Sequence, residues 1–391
     1  MIFSKKLLNL IADEEQADPN APVKILGTMP KDFYAGSYNL MKRGDEFFAI
    51  NTGGPQNGLT LTTVQTLNFI SKTKDFKTWT GSQIGSGHTV YDIESDSFYS
   101  VTLGERYKTY ADNNAIAYHV TKINPDTFEY KITTLMPEYD MSKTSRLISQ
   151  VQRVGNHLML LYLRDHTNQF IAYSSDNGEN WTNVNLFPTS SWAMGGSGTT
   201  IASNKTKLLA SGYYGSSTAT RKCFTTPTSF VNSNCQACKS DKPEYSYGNI
   251  LYYYNYSAKT VSLTTDCINY SKTFNVIQNT MGNRCIYYDK YFITANTMSY
   301  SKKSAPEDIS YYGKLVIYDT TTSQMYHFDT GLDIPYESGS GDYIYVYSYI
   351  QIVGFIEDEI YFIFQCQTKK SYRLAKVHIS YVLENMVLHN S

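Results

Sequence analysis

Short apolar runs separated by polar turns recur along the whole chain. Nearly every residue in a run is apolar, and the preceding turn carries residues such as Gly44-Asp45 or Gly155-Asn156. Continuous apolar runs of this length are typical of strands buried on both faces, and such turns suit tight hairpins. The pattern predicts buried strands at residues 46–50, 98–103, 157–163, 208–214, 250–254, 291–293 and 360–364.

Each predicted strand belongs to a repeated unit that ends in a second polar turn. The turn often carries an acidic residue, with an aromatic residue a few positions later. The turns centre on Asp75, Asp126, Asp176, Pro227, Asp266 and Asp319, with separations of 51, 50, 51, 39 and 53 positions. The seventh unit, which ends near Glu384, is longer and lacks the motif. Four-stranded units of about 50 residues are typical of β-propeller blades.

The predicted fold is therefore all-β, a β-propeller of four-stranded antiparallel blades. Seven blades are predicted, or six if the unit of 39 residues is not a full blade. Residues 23–26 precede the first unit and are placed to supply the outer strand of the last blade. Leu7, Leu8 and Ile11 have helical spacing and predict a short N-terminal helix at residues 4–16. The chain then divides into a helix and linker at 1–22 and a propeller domain at 23–391.

One of the second turns matches a known motif. The sequence Ser174-x-Asp176-x-Gly178-x-x-Trp181 resembles the Asp-box, or BNR repeat, of sialidases and related propellers. Its carboxylate can accept backbone N–H bonds, its glycine permits positive φ, and its tryptophan can insert between sheets. The segment at 71–79 is similar but one residue shorter, and it lacks the glycine. The resemblance implies a peripheral structural element, and so a fold rather than a chemistry.

The catalytic residues that the resemblance implies are not found in the sequence. Sialidases clamp a carboxylate with three arginines, one in an Arg-Ile-Pro-type segment, and use a Tyr–Glu pair with an Asp acid/base. No Arg-x-Pro occurs here, and Arg43 lies in a hairpin turn. Other propeller glycosidases need axial carboxylates, for which Asp140 and Asp342 are the best candidates. No nucleotide-binding or hydrolase motif is present. We expect no catalytic residue and no cofactor, with a diverged sialidase-like glycoside hydrolase as the alternative.

The loops that lead into the inner strands are the expected place for a ligand. The candidate binding residues there are His88, Arg146, Trp192, Arg284 and Asp342. Arginine can fork onto a carboxylate or phosphate, and tryptophan can stack on a sugar. The competing interpretation is that these side chains are packed or hydrogen-bonded in a channel wall.

Composition narrows the classes of partner. The chain has 36 Tyr, and tyrosine combines an apolar ring with a polar tip, so the excess favours a contact surface. Lys plus Arg total 34 against 35 Asp plus Glu, which argues against a nucleic-acid binder and against attraction to membranes. Apolar stretches stay below the ~18 residues of a membrane span. Cys235-Gln-Ala-Cys238 is half a zinc motif without a second half, so free thiols and no metal are predicted.

These observations lead to a hypothesis of a non-enzymatic propeller that acts as a structural or receptor-binding component. The expected setting is a bacteriophage virion or tail, in which the chain contacts other assembly proteins and a host-surface glycan. Residues 18–22 have the composition of a short stiff linker behind a docking helix. An intracellular protein-interaction scaffold is a second alternative. The apolar run near the start meets Asp13-Glu14-Glu15 without a cleavage site, so no signal peptide and a virion or cytoplasmic location are expected.

Overall fold

A computed structural model places the greater part of the chain. It describes residues 21–30, 38–51, 69–85, 89–103, 118–136, 151–163, 169–185, 192–193, 201–203, 208–214, 218–226, 229–232, 250–255, 258–265, 271–277, 285–295, 298–304, 310, 312–332, 334, 336–338, 344–365 and 372–389. The helix predicted for residues 4–16 lies outside these ranges.

The first half of the chain forms three antiparallel sheets of four strands, each built from strands consecutive in sequence. The first described strand, β1 (Val23–Thr28), belongs to the last sheet. Sheet 1 contains β2 (Tyr38–Arg43), β3 (Glu46–Asn51), β4 (Ile70–Thr73) and β5 (Thr80–Ser82). Sheet 2 contains β6 (Thr89–Asp92), β7 (Ser97–Leu103), β8 (Tyr118–Ile123) and β9 (Tyr130–Met136). Sheet 3 contains β10 (Gln152–Val154), β11 (His157–Leu163), β12 (Gln169–Ser174) and β13 (Thr182–Asn185).

The second half forms four further sheets that continue this series, of three to five described strands each. Sheet 4 contains β14 (Trp192–Ala193), β15 (Ile201–Ser203), β16 (Leu208–Tyr214), β17 (Thr218–Thr226) and β18 (Ser229–Asn232). Sheet 5 contains β19 (Leu251–Asn255), β20 (Thr260–Thr264) and β21 (Lys272–Asn275). Sheet 6 contains β22 (Cys285–Tyr288), β23 (Tyr291–Thr294), β25 (Leu315–Asp319), β26 (Met325–Phe328) and β32 (Val387–Leu388). Sheet 7 contains β29 (Ile350–Ile356), β30 (Glu359–Gln365), β31 (Tyr372–His378) and β1.

A small three-stranded sheet and two short helices complete the described structure. The small sheet contains β24 (Met298–Ser301), β28 (Tyr345–Ser348) and β27 (Tyr336–Ser338). A 3₁₀ turn (Lys302–Ser304) follows β24, and helix α1 (Ile379–Asn385) follows β31.

The apolar runs explain where the strands form. Six of the seven predicted runs lie within one strand each, namely β3, β7, β11, β16, β23 and β30. The run at 250–254 overlaps β19, which begins one residue later at Leu251. In β3 the consecutive residues Phe48, Ala49 and Ile50 are all buried, as expected of a strand covered on both faces. The hairpins before these strands use Gly44 and Gly155, both at positive φ, where glycine avoids a steric penalty.

The N-terminal strand joins the C-terminal end of the chain. β1 pairs antiparallel with β31, with Val23 opposite Val377 and Thr28 opposite Arg373. The prediction that residues 23–26 supply the outer strand of the last sheet is therefore confirmed. The seventh unit was expected to end near Glu384, and this boundary was wrong. β31 ends at His378, whose Nδ1 accepts the Ser380 N–H and caps α1.

Six of the sheets pack face to face in one continuous series. The shared cores are represented by Phe274 with Phe292 between sheets 5 and 6, Ile317 with Phe362 between sheets 6 and 7, Leu374 with Ala49 between sheets 7 and 1, Phe48 with Phe98 between sheets 1 and 2, and Val120 with Leu158 between sheets 2 and 3. β15 of sheet 4 contacts β10 of sheet 3. The first and last sheets of the chain are thus neighbours, although a closed ring of seven blades stays a prediction.

The antiparallel order gives each four-stranded sheet two distinct ends. Connections between its first and second strands, and between its third and fourth, lie at one end, which we call the turn end. Connections between its second and third strands, and those that enter the first strand, lie at the opposite end, which we call the loop end. This distinction locates the candidate sites.

Candidate functional site

The predicted ligand residues belong to segments that enter first strands at the loop end. His88, Arg146, Arg284 and Asp342 lie outside the described residues. Trp192 begins β14, where its backbone is paired opposite Tyr214. Its side chain is not among those the structure describes, so the five-residue ligand set stays a prediction.

The four residues of the Asp-box-like motif lie together in the turn between β12 and β13. We call residues 174–181 the Asp176 turn. Ser174 Oγ donates to Asp176 Oδ1 at 2.6 Å and accepts the Gly178 N–H at 2.8 Å. Asp176 Oδ1 also accepts the Asn180 N–H at 2.9 Å. These hydrogen bonds, that from Ser174 foremost, hold the pKa of Asp176 well below its usual range. The carboxylate therefore organises the turn.

The same turn is packed against the preceding sheet. Gly178 has φ +79°, and a Cβ there would lie 2.5 Å from Tyr99 Cε1. The Tyr99 hydroxyl donates to the Asn177 carbonyl at 2.6 Å. The Trp181 ring meets the Tyr99 ring edge-on, with centroids 6.5 Å apart. The turn thus joins sheet 3 to sheet 2, so its role is structural.

A nearly buried ion pair lies beside this turn. Arg153 of β10 donates from Nε to Asp92 Oδ1 of β6 at 2.7 Å, and the two side chains are only 10% and 8% exposed. Arg153 Nη2 also donates to Asn177 Oδ1 at 3.0 Å. Burial disfavours the charged form of Asp92, but hydrogen bonds from Arg153 and Ser95 outweigh it and lower its pKa. The pair connects the first strands of sheets 2 and 3.

Sheets 1 and 2 are joined by a second, more exposed charge cluster. Arg43 at the end of β2 donates from Nη2 to Asp96 Oδ2 at 2.7 Å and from Nη1 to Asp126 Oδ1 at 2.6 Å. The hydrogen bonds that Arg43 donates to both aspartates raise its pKa. Arg43 lies at a hairpin, as the sequence indicated. From there it joins the turn end of sheet 1 to the turn end of sheet 2. These carboxylates hold neighbouring sheets together, so we assign them no acid–base role.

The small sheet extends past the loop end of sheets 6 and 7. β28 ends at Ser348, just before β29 begins at Ile350, so it continues the first strand of sheet 7. β24 begins at Met298, shortly after β23 ends at Thr294. This sheet lies at the end of the molecule where the sequence predicts ligand binding.

Tyrosines line the outer face of the small sheet, which we call the tyrosine sheet. Tyr345 and Tyr347 alternate with Val346, so they share one face, and their ring centroids are 6.2 Å apart. Tyr345 is 40% exposed, whereas Val346 on the other face is buried. Tyr347 is half-buried beside Tyr345. Phenol rings offer apolar faces for stacking and hydroxyls for hydrogen bonds. This surface therefore combines apolar and hydrogen-bonding groups.

Aromatic and charged contacts support this sheet from its other face. Tyr300 of β24 packs edge-on against Tyr312, with centroids 5.4 Å apart. Burial, and then the neighbouring Tyr300, raises the pKa of the Tyr312 phenol, which stays neutral at physiological pH. Lys302 Nζ pairs with Glu337 Oε1 at 2.7 Å, so these two charges largely cancel.

Sequence reasoning did not select Tyr345 and Tyr347. Every second residue from Tyr343 to Tyr349 is a tyrosine, and this period of two is the signal of a strand with one aromatic face. The chain has 36 tyrosines, and most are expected to lie in strands of the sheets, so this short period does not stand out. Their placement at the loop end required the strand order.

The described residues offer little for other site chemistries. No group of three or more His, Cys, Asp or Glu side chains in this part of the chain could hold a metal ion. Cys285 is a free thiol, as predicted, and burial raises its pKa to about 12, which removes it as a nucleophile. A search of the described helices finds none long and apolar enough to cross a membrane.

Comparison with known proteins yields weak structural likeness. No protein-family model matches this chain, and no curated protein matches it. The fold is similar to a Trypanosoma rangeli sialidase in complex with 2,3-difluorosialic acid, at 10% identity and TM-score 0.37, over 89% of this chain and 55% of that chain. It is also similar to a Staphylococcus aureus virginiamycin B lyase, at 11% identity and TM-score 0.38, over 91% of this chain and 98% of that chain.

A mutant NanB sialidase from Streptococcus pneumoniae is a third similar structure, at 11% identity and TM-score 0.37, over 98% of this chain and 73% of that chain. The chain spans about half the length of the trypanosome sialidase. Because these scores are low, the architecture of this chain rests on its own sheets and their packing.

Proposed function

We propose that the chain is a seven-bladed β-propeller of sialidase-like form that acts as a non-enzymatic binding module. The continuous packing of sheets 5, 6, 7, 1, 2 and 3 supports the ring, as does the joining of β1 to β31. In a ring of this kind, loops that enter the first strands converge at one end, where propellers offer a concave surface. The bacteriophage virion or tail expected from the sequence is the proposed setting.

The pair of exposed Tyr345 and half-buried Tyr347 carries the proposal. It lies at the loop end, and the segment before it in sequence contains the predicted ligand residue Asp342. Tyrosine pairs contribute contact area at low entropic cost, and their hydroxyls suit the polar rim of a glycan. A host-surface glycan is therefore the proposed ligand, with a partner protein as the other occupant of the same surface.

The carboxylates at the turn end support a non-enzymatic role for that end. The pKa values of Asp92, Asp96, Asp176 and Glu179 are all lowered by structural hydrogen bonds. A glycosidase acid needs the opposite, a raised pKa at working pH. These four carboxylates therefore do not suit the role of a glycosidase acid.

The test is a glycan-array assay run beside a panel of fluorogenic glycosidase substrates on the same purified sample. We expect binding without turnover. The double variant Y345A/Y347A should lose at least ten-fold in affinity while its circular dichroism and melting temperature stay close to wild type. Tyr130→Ala is the matched control, because Tyr130 is also exposed but lies on the outer strand of sheet 2.

Either of two results would overturn the proposal. Turnover of any substrate would show an enzyme, and Asp342→Asn would then be the first variant to examine. Binding that is unchanged in Y345A/Y347A would move the ligand away from the tyrosine sheet.

A further inference from the structure

The outer strand of sheet 2 differs from those of the neighbouring sheets. β9 ends the strand order β6-β7-β8-β9, and no strand in the described part of the chain pairs with its outer side. It has seven residues, whereas β5 and β13, the outer strands of sheets 1 and 3, have three and four. Two of its side chains, Tyr130 and Ile132, are 51% and 48% exposed. A long edge strand with exposed apolar side chains is a template for pairing with another strand.

The ladder between β8 and β9 decides which backbone groups of β9 face outward. The Asn124 N–H donates to the carbonyl of Glu129, the residue before β9, at 2.8 Å. Hydrogen-bonded and non-hydrogen-bonded positions alternate along an antiparallel ladder, so Lys131 is the next residue bonded to β8. Ile132 therefore directs its N–H and C=O away from β8. The same residue presents an exposed apolar side chain and two backbone groups at the outer edge.

The sequence of β9 makes this edge complementary to a second copy of itself. With Ile132 opposite Ile132 of the other copy, an antiparallel pair is symmetric and sets Tyr130 opposite Thr134. Each Ile132 N–H then meets the Ile132 carbonyl of the other copy. Tyr130, Ile132 and Thr134 are all exposed and share one face, because they are two residues apart. Pairs of aromatic and β-branched residues across such strands are favourable.

The charges beside β9 are compatible with this approach. Lys131 lies on the opposite face of the strand from Ile132. Its Nζ is 3.0 Å from Glu179 Oε2 of sheet 3, so its charge is compensated within one copy. In the symmetric register Lys131 lies opposite Thr133 of the other copy. Like charges therefore do not face each other directly across the two strands.

We propose that the outer edge of sheet 2 is a dimerisation surface, where two copies of the chain join β9 to β9 with Ile132 at the two-fold axis. The four strands of each copy then form one continuous sheet of eight. Because the joined strands run in opposite directions, the loop ends of the two copies face opposite sides of the dimer. A single strand pair buries less than the ~1,600 Å² of a standard interface, so we expect a dissociation constant in the micromolar range.

Sedimentation velocity of the purified full chain at rising micromolar concentrations tests the surface. The wild type should shift from monomer to dimer. Ile132→Lys should weaken the dimer by about ten-fold or more, because two ammonium groups would meet near the axis. Ile93→Lys is the matched control, since Ile93 is 74% exposed but lies in the turn between β6 and β7. It should associate like the wild type, and circular dichroism shows whether both variants are folded.

Cross-linking tests the register separately from the strength of association. Cα atoms of a hydrogen-bonded antiparallel pair lie ~5.5 Å apart, within the range that a disulfide spans. Mild oxidation of Ile132→Cys should therefore give a covalent dimer that neither the wild type nor Ile93→Cys forms. A wild type that stays monomeric at every concentration would overturn the proposal. So would a dimer that persists in folded Ile132→Lys, or an Ile132→Cys variant that forms no more covalent dimer than Ile93→Cys.

Discussion

Similar turns lie at two boundaries, one between sheets 2 and 3 and one between sheets 1 and 2. Different residues fill the space beside each turn. In the Asp176 turn, Trp181 is half-buried and packs on Tyr99 of the preceding sheet. In sheet 2, Asn124 Oδ1 accepts the N–H groups of Asp126 and Thr127, and Tyr130 follows this turn as the first residue of β9. Tyr130 is 51% exposed and is paired with Ile123, whereas Trp181 lies one residue before β13 begins at Thr182.

The difference shows that turn formation and packing between sheets are determined by different residues. Phe128, at positive φ, contributes to the core between sheets 1 and 2, and Lys72 Nζ lies 5.3 Å from its ring centroid. In sheet 1, Trp79 packs in the core shared with sheet 7 and donates its Nε1–H to the Thr28 carbonyl at 3.2 Å. Side-chain hydrogen bonds form each turn, whereas the shape of the neighbouring sheet decides which residue fills the gap.

The largest effect is expected from the ion pair at the boundary of sheets 2 and 3. Asp92→Ala removes the nearly buried carboxylate that pairs with Arg153 and leaves Arg153 the more exposed Glu94, whose Oε2 lies 3.4 Å from Nη1, and this should cost about 3–5 kcal/mol. Urea unfolding followed by fluorescence measures this. Asp45→Ala is the control, since its pair with Lys74 is largely exposed and should contribute nothing measurable. Equal losses in the free energy of unfolding would show that the nearly buried pair contributes no more than the exposed one.

Trp181→Ala should cause the second-largest loss in the free energy of unfolding, about 2–4 kcal/mol, because it opens a cavity beside Tyr99. The unfolding midpoint should fall with little change in the slope of the transition. If the loss were as small as that of a surface substitution, the tryptophan would not be the residue that fixes this boundary.

Gly178→Ala should cost about 1–3 kcal/mol, since the new Cβ has both an unfavourable φ and a clash with Tyr99. Gly155→Ala separates these causes. Gly155 also has positive φ, but nothing lies within 4 Å of a Cβ built there. Its loss should therefore be the smaller, as measured by the melting temperatures of the two variants. The reverse order would contradict packing as the main cause.

The smallest effect is expected from Tyr130→Ala, which should change stability by less than about 1 kcal/mol. The measurement is again urea unfolding, beside Trp181→Ala in the same buffer. A loss comparable to that of Trp181→Ala would show that Tyr130 is inserted between sheets 1 and 2 in solution.

The sequence alone was sufficient for the local features of the fold. Apolar runs located seven strands, because burial on both faces leaves a continuous signal. Residues 23–26 were recognised as the outer strand of the last sheet because one blade lacked one. The hydrogen bonds of the Asp176 turn connect residues within four positions of one another, so a short motif contains them all.

The sites that join distant parts of the chain could not be predicted in this way. Asp92 and Arg153 are 61 positions apart, and nothing near either residue indicates the other. Tyr345 and Tyr347 were hidden among many tyrosines until the strand order placed them at the loop end. The path of α1 and β32 back to sheet 6 was likewise unforeseen, because a two-residue edge strand has no pattern of its own.

Local order in this protein was determined by its sequence, since apolar runs, turn hydrogen bonds and positive-φ glycines act over a few residues. The tertiary structure decided which sheets meet, which tyrosine stays exposed and which charges pair. These outcomes depend on shape and desolvation between segments far apart in the chain, and no single stretch of sequence contains both partners.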